Sequence, residues 1–232
     1  MPVAPEEHHS FLQKYFRYYR LLPESEQSEF LRRVEQFRRF RDFHGRKGLK
    51  VDVTTEVFVS AFAIQLTFGL EQFMLPHFKT IVIYPDSFMV GHRVNRHIPR
   101  KGEVHQAGAV ALSLKHLIEG EKAPYDGYNL GIHEFAHAMF IENTVWNREF
   151  HFFKPAQINR WRSRAHKALL EMRKGVPSLL RSYASSNSME FFAVAAESFF
   201  ERPVAFKDQL PELYDMKTEL LQQDPASRLS DS

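Results

Sequence analysis

An α+β chain, mainly helical with a small mixed sheet, is what this sequence predicts, and three observations carry the prediction. Apolar residues recur at helical spacing through the first and last parts of the chain. Two short β-branched runs, "KTIVIYP" and "GAVALSL", break that period near the middle. After them comes "GIHEFAHAMF", residues 131–140, an otherwise apolar stretch that contains His133, Glu134 and His137.

The elements follow in order. Phe11, Leu12, Tyr15, Phe16 and Tyr19, then Phe30, Leu31, Val34, Phe37 and Phe40, lie on the apolar faces of two helices, and Pro23 and Ser25 supply the stop and the next cap between them. A third helix, rich in Phe and Leu, is expected over residues 54–73. The two β-branched runs are strands bounded by Pro and Gly, and the polar link between them, "DSFMVGHRVNRHIPRKGEVHQ", has room for one more. From Asn129 onward the pattern is helical again, over 130–142, 155–174, 188–201 and 208–222. Residues 1–75 are then expected to form a helical region packed on a second region, 76–232, the whole making one compact unit.

Composition excludes several classes of function. The chain has 232 residues, 44% of them hydrophobic, enough to bury a sizeable core. Its 31 basic and 28 acidic residues leave a formal charge of +3, without the concentrated basic stripe that nucleic-acid binding needs. Only "LRRVEQFRRFRDFHGRKGLK" is locally basic; it resembles the solvated face of an amphipathic helix, with a docking surface for an acidic partner as the second reading. There is no cysteine, so disulfides, thiol nucleophiles and thiolate metal sites are excluded, and metal ligands must be His or carboxylate. No apolar run of membrane-spanning length occurs, and "MPVAPEEHHSFLQKYF" lacks the pattern of a signal peptide, which makes a cytoplasmic location the expectation. His8 and His9 are expected to be solvated at a mobile terminus. No spacing supports a second metal site among His92, His97, His105 and His116, and Trp146 and Trp161 are expected to pack.

The motif has a mechanism behind it. Residues four apart on a helix project from one face, so His133 and His137 can reach a single ion. Glu134 projects beside that point and can take a proton from a water held there, the H-E-x-x-H arrangement of zinc-dependent hydrolases. Ile132, Phe135, Ala136, Met139, Phe140 and Ile141 leave almost no polar face on which these groups could be solvated, and a helix apolar all round is buried. A catalytic zinc needs a third protein ligand. The offsets that hold Gly and His in metzincins are occupied here by Phe140 and Asn143, so the ligand comes from elsewhere. In "SYASSNSMEFFAVAAESFFERP", Glu190 and Glu197 lie on one face of an apolar helix. Glu190 also fits the third position of a helix capped by Asn187, a role that needs no metal. One carboxylate binds metal and the other orients a ligand histidine through its free ring N–H, and spacing does not say which.

"HEFAH", "KTIVIYPDSF", "EFFAVAAESFF" and "QQDP" together resemble the Mlc titration factor A family of zinc peptidases, over about residues 25–229. That family is similar in its catalytic core to the anthrax lethal factor protease. The resemblance implies a zincin-like fold with the sheet packed on the motif helix, and one zinc ion of the gluzincin type held by His133, His137 and Glu190. It further implies that Glu134 is the general base, and that Tyr183, seven residues before the glutamate ligand, holds the oxyanion together with the zinc. Glu197 is left to orient a ligand histidine. The partners implied are a peptide or protein substrate and, alternatively, a transcriptional regulator that the protein sequesters. One departure stands out: "AMFIENTVWNREFHFFKPAQINRW" does not match the Gly-rich loop of the family.

Overall fold

The computed structural model describes residues 6–89, 99–143 and 152–230. Its first helices are α1 (Glu6–Tyr15), α2 (Arg17–Arg20) and α3 (Glu24–Arg39). Acidic residues open α3 and Arg38 and Arg39 close it, the arrangement its dipole favours. The expected apolar face is buried at Phe30, Leu31, Val34 and Phe37, whereas Phe40, just past the helix end, stays exposed. His8 and His9 depart from expectation. The His8 imidazole is buried with its Nδ1 2.6 Å from Glu35 Oε1, and His9 Nδ1 lies 2.8 Å from the Tyr19 hydroxyl, so both fasten α1 to the helices behind it.

Next come β1 (Asp42–Gly45), α4 (Val53–Thr67), β2 (Thr80–Tyr84), β3 (Gly102–His105), β4 (Ala109–Ser113) and α5 (Leu114–Lys122). Asp52 caps α4 by accepting from Thr55 N. The helix stops earlier than expected, because Thr67 Oγ1 bonds back to the Ala63 carbonyl and across to that of Phe73, turning the chain. Among the described residues the sheet has the order β1-β2-β4-β3, with β1, β2 and β4 parallel and β3 antiparallel on β4. It is the small mixed sheet that the sequence predicts. β1 belongs to the N-terminal region in sequence but is a strand of this sheet.

The C-terminal half holds α6 (Leu130–Glu142), α7 (Pro155–Arg173), a single 3-10 turn (Ser182–Ser185), α8 (Ser188–Glu201), α9 (Pro203–Gln209), α10 (Pro211–Leu221) and α11 (Pro225–Ser230). The helix expected over 208–222 is broken at Leu210, because Pro211 starts a new helix at a position where its missing N–H does no harm. Helix α6 lies at the centre, with strands β3 and β4 on one side and α4 and α8 on the other. Gly131 permits the approach of α4, since a Cβ there would fall 2.3 Å from the Phe62 ring. A single apolar core runs from Leu12 to Ala226 and includes the buried Trp161, while Trp146 lies outside the described residues. Among the described residues, no helix is long and apolar enough to cross a membrane.

Candidate metal centre

Asn129 caps α6 by accepting from Ile132 N at 3.0 Å, and Asn187 caps α8 by accepting from Met189 N and Glu190 N. The caps fix where the two buried helices start, and the helices pack against each other. His133 Nε2 and His137 Nε2 then stand 3.0 Å apart, and Glu190 Oε2 lies 3.1 Å from the first and 3.2 Å from the second. Among the described residues this is the one group of His, Asp or Glu side chains that could hold a metal ion. Glu190 occupies the third helical position as the capping reading requires, but its carboxylate turns toward the imidazoles.

Glu197, fully buried, approaches from the opposite side. Its Oε1 accepts from His133 Nδ1 at 2.7 Å and from Arg181 Nη2 at 2.5 Å, and its Oε2 accepts from Asn129 N at 2.7 Å. A His133 proton held on Nδ1 by Glu197 leaves the Nε2 lone pair to face Glu190 Oε2, 3.1 Å away. Three such atoms converging on one point could hold a cation between them. Two neutral imidazoles and a carboxylate are the donor set of catalytic zinc, and ligand atoms about 2.0–2.2 Å from a tetrahedral ion would stand about 3.3 Å from one another. The observed triangle is close to that. With only protons to draw on, burial opposes charge on His133, but the Glu190 and Glu197 carboxylates outweigh it and pull the imidazole up to about 10. Burial likewise opposes charge on Glu190, yet the two histidines hold its carboxyl far below the usual range.

Glu134 is nearly buried beside this group, and burial raises its carboxyl to about 7 although His133 works against the rise. It lies flat against edge strand β3, where Gly102 leaves it room: a Cβ at Gly102 would fall 2.4 Å from Glu134 Oε1. Tyr183, half-exposed on the 3-10 turn, donates its hydroxyl to Glu190 Oε1 at 3.2 Å, and its ring centroid is 6.1 Å from that of His133. All six residues singled out from sequence therefore meet. Arg181, Asn129 and Gly102 complete the arrangement and were missed. Asn129 had a signal, as a capping residue before an apolar run, whereas Arg181 and Gly102 act through contacts between distant segments. Of the other histidines, His105 is exposed with Nε2 3.4 Å from Glu103, His116 is buried against Ser113 Oγ at 2.7 Å, and His92 and His97 lie outside the described residues.

A helix bearing two histidines and a glutamate, crossed by a second helix bearing the third candidate ligand and backed by a small mixed sheet, defines a metallopeptidase-type protein. The chain belongs to the family described as glucose-regulated metallo-peptidase M90, whose family model matches residues 2–222. It is similar to the Mlc titration factor A proteins of Escherichia coli strains 55989 / EAEC and K12 / DH10B and of Shigella boydii serotype 18. Each is 28% identical over 224 residues, which cover 90% of this chain and 83% of the relative. The family implies a catalytic metal, and the residues at this site fit one.

Proposed function

We propose that the chain is a zinc-dependent peptidase in which His133, His137 and Glu190 hold the ion, Glu134 is the general base and Tyr183 donates a hydrogen bond to the substrate oxygen. One observation carries the reading: three ligand atoms from two helices converge at 3.0–3.2 Å, with the buried Glu134 carboxyl alongside. A zinc ion held there supplies Lewis acidity, polarising a peptide carbonyl and making water acidic enough to lose a proton near neutrality. Glu134 takes that proton; burial gives its carboxylate a higher proton affinity than an exposed one. As water adds to the carbonyl, the Tyr183 hydroxyl turns from Glu190 to the oxygen on which charge develops. Glu134 then returns the proton to the leaving amine. Throughout, Glu197 keeps the His133 ring oriented through Nδ1–H. Peptides are the substrate class, and the cytoplasm is the proposed compartment.

A second reading, sequestration of a transcriptional regulator, draws on the name of the relatives as titration factors. A free basic face on the N-terminal helices would favour it. Instead Arg33 bonds Glu29 and the carbonyls of Phe68 and Leu70, and Arg38 bridges Glu35 and Glu56 at 2.9 Å each. The peptidase reading has the stronger physical support.

The test has two parts. Elemental analysis of the purified protein is expected to find about one zinc ion per chain, and none when His133 and His137 are both replaced by Ala. Glu134→Gln is expected to keep the ion while losing about 10²- to 10⁴-fold in turnover on a peptide found by screening a fluorogenic panel. Full occupancy in the double variant, or undiminished turnover in Glu134→Gln, refutes the reading.

A further inference from the structure

The segment between α7 and α8 carries Tyr183 on a four-residue 3-10 turn. So short a turn has little stability of its own. Leu180 and Ala184 sink into the core on either side of the tyrosine, but the phenol itself is half-exposed, so packing does not fix where its hydroxyl points. Three arginines hold the backbone instead. Arg202 donates to the Leu179 carbonyl at 3.0 Å, and Arg173 donates to those of Ser185 and Ser186 at 2.8 Å each. Both grip the ends of the segment from outside. Arg181 lies within it and reaches the other way: Nη2 donates to Glu197 Oε1 at 2.5 Å, Nε donates to the Gly127 carbonyl at 3.0 Å, and the guanidinium rests 4.6 Å from the centroid of the Tyr128 ring.

The Glu197 oxygen that Arg181 grips is the one that holds His133 Nδ1. A continuous run of short polar contacts therefore leads from the imidazole through Glu197 and Arg181 to the backbone two residues before Tyr183. An arginine with a planar head, two donors engaged and one face on a ring has little rotational freedom left, and it transfers that restraint to its own backbone. We propose that Arg181 is a positioning residue, which sets the distance between the Tyr183 hydroxyl and the His133–His137–Glu190 group by fastening the turn to Glu197. The inference rests on the role of Tyr183 in the proposed function.

A double-mutant cycle on turnover tests it, using the zinc-loaded full chain and the screened fluorogenic peptide. Arg181→Ala is expected to lower kcat about 10- to 100-fold, the penalty of a misplacement near 1 Å, with KM changed little. In a Tyr183→Phe background, where no hydroxyl is left to position, the same substitution is expected to lower kcat less than about twofold. Amide hydrogen exchange across residues 182–186 is expected to quicken in Arg181→Ala while zinc content stays that of the wild type. Should Arg181→Ala fold poorly, Arg181→Lys serves: it keeps a cation opposite Glu197 but lacks the Nε–H for Gly127, and a smaller fall, again absent without the Tyr183 hydroxyl, is expected. An equal fall in both backgrounds, or unchanged exchange at the turn, overturns the proposal. Undiminished turnover in Tyr183→Phe alone refutes the catalytic role of Tyr183, and the inference with it.

Discussion

Glu201→Gln is expected to make the protein more resistant to alkaline conditions. Glu201 ends α8 with only 4% of its surface exposed. Its carboxyl accepts from Gly127 N at 3.0 Å and from Asn129 Nδ2 at 3.2 Å, yet no cation pairs with it among the described residues. Burial therefore dominates and raises it from 4.5 to about 8, with Asn129 opposing the rise. An acid whose folded pKa is raised keeps its proton in the native state while the unfolded chain gives the proton up. Its contribution to stability is whole below about 4.5 and is lost progressively as pH climbs through about 8. At about 1.4 kcal/mol for each tenfold, the loss between pH 5 and pH 9 is on the order of 4 kcal/mol. Gln keeps one acceptor oxygen and does not ionise, so it escapes the loss. Denaturant unfolding of wild type and Glu201→Gln at pH 5, 7 and 9 measures the difference at each pH, in which the other titrating groups cancel. The variant should match the wild type within about 1 kcal/mol at pH 5 and exceed it by about 2–4 kcal/mol at pH 9. Parallel pH profiles for the two proteins would mean that Glu201 is ionised in the native state and that the argument from burial is wrong.

Gly102→Ala places a methyl group where the Glu134 carboxylate now lies, and because a flexible side chain gives way more readily than a strand, the carboxylate should move. Turnover on the screened peptide is expected to fall about 10- to 100-fold with zinc content intact, and an unaffected rate would mean that Glu134 does not act from this pose. Glu190→Ala and Glu197→Ala should differ in kind. The first removes a ligand and abolishes stoichiometric zinc binding, whereas the second loosens the His133 ring and weakens affinity about 10- to 100-fold. Competition against a chelator distinguishes them, and the reverse order of effects would exchange the two assignments. Glu197→Ala should also lower Tm, since it strips an acceptor from the Asn129 amide, the His133 ring and Arg181 at once.

The central elements were legible because each carries its own period and its own punctuation. Helix α6 runs from Leu130 to Glu142 as the apolar pattern after Asn129 requires, and α8 runs from Ser188 to Glu201 behind the Asn187 cap. Strands β2 and β4 are short apolar runs paired in parallel inside the sheet, bounded by Pro and Gly, and that makes them readable. What was not legible depends on partners far away in sequence. β1 is "DFHG", polar and short, and it is a strand because Lys79 and Ile83 supply carbonyls to its ends while Ile81 and Ile83 pair alongside it. Helix α5 was hidden because "GAVALSL" runs into it, and the Ser113 cap that divides strand from helix is a single residue.

The two glutamates of α8 show where one-dimensional reading stops. Glu190 and Glu197 share a helix face, so periodicity makes them equivalent, and the difference between ligand and orienting group is a matter of which side of the His133 ring each one reaches. That side is fixed by the crossing of α6 and α8: Glu190 meets the Nε2 edge and Glu197 the Nδ1 edge. Once the crossing is set, chemistry completes the division. The Nδ1 edge sets Glu197 among the donors Asn129 N and Arg181, whereas on the Nε2 edge Glu190 Oε2 faces the two imidazole Nε2 atoms. A fully buried carboxylate engaged by three donors is poorly placed to take an ion, whereas Glu190 Oε2 belongs to the group of atoms that could hold one. The proposed division of roles thus rests on where the hydrogen-bond donors lie, and those donors come from segments more than fifty residues away or from a side chain that the helical period does not mark.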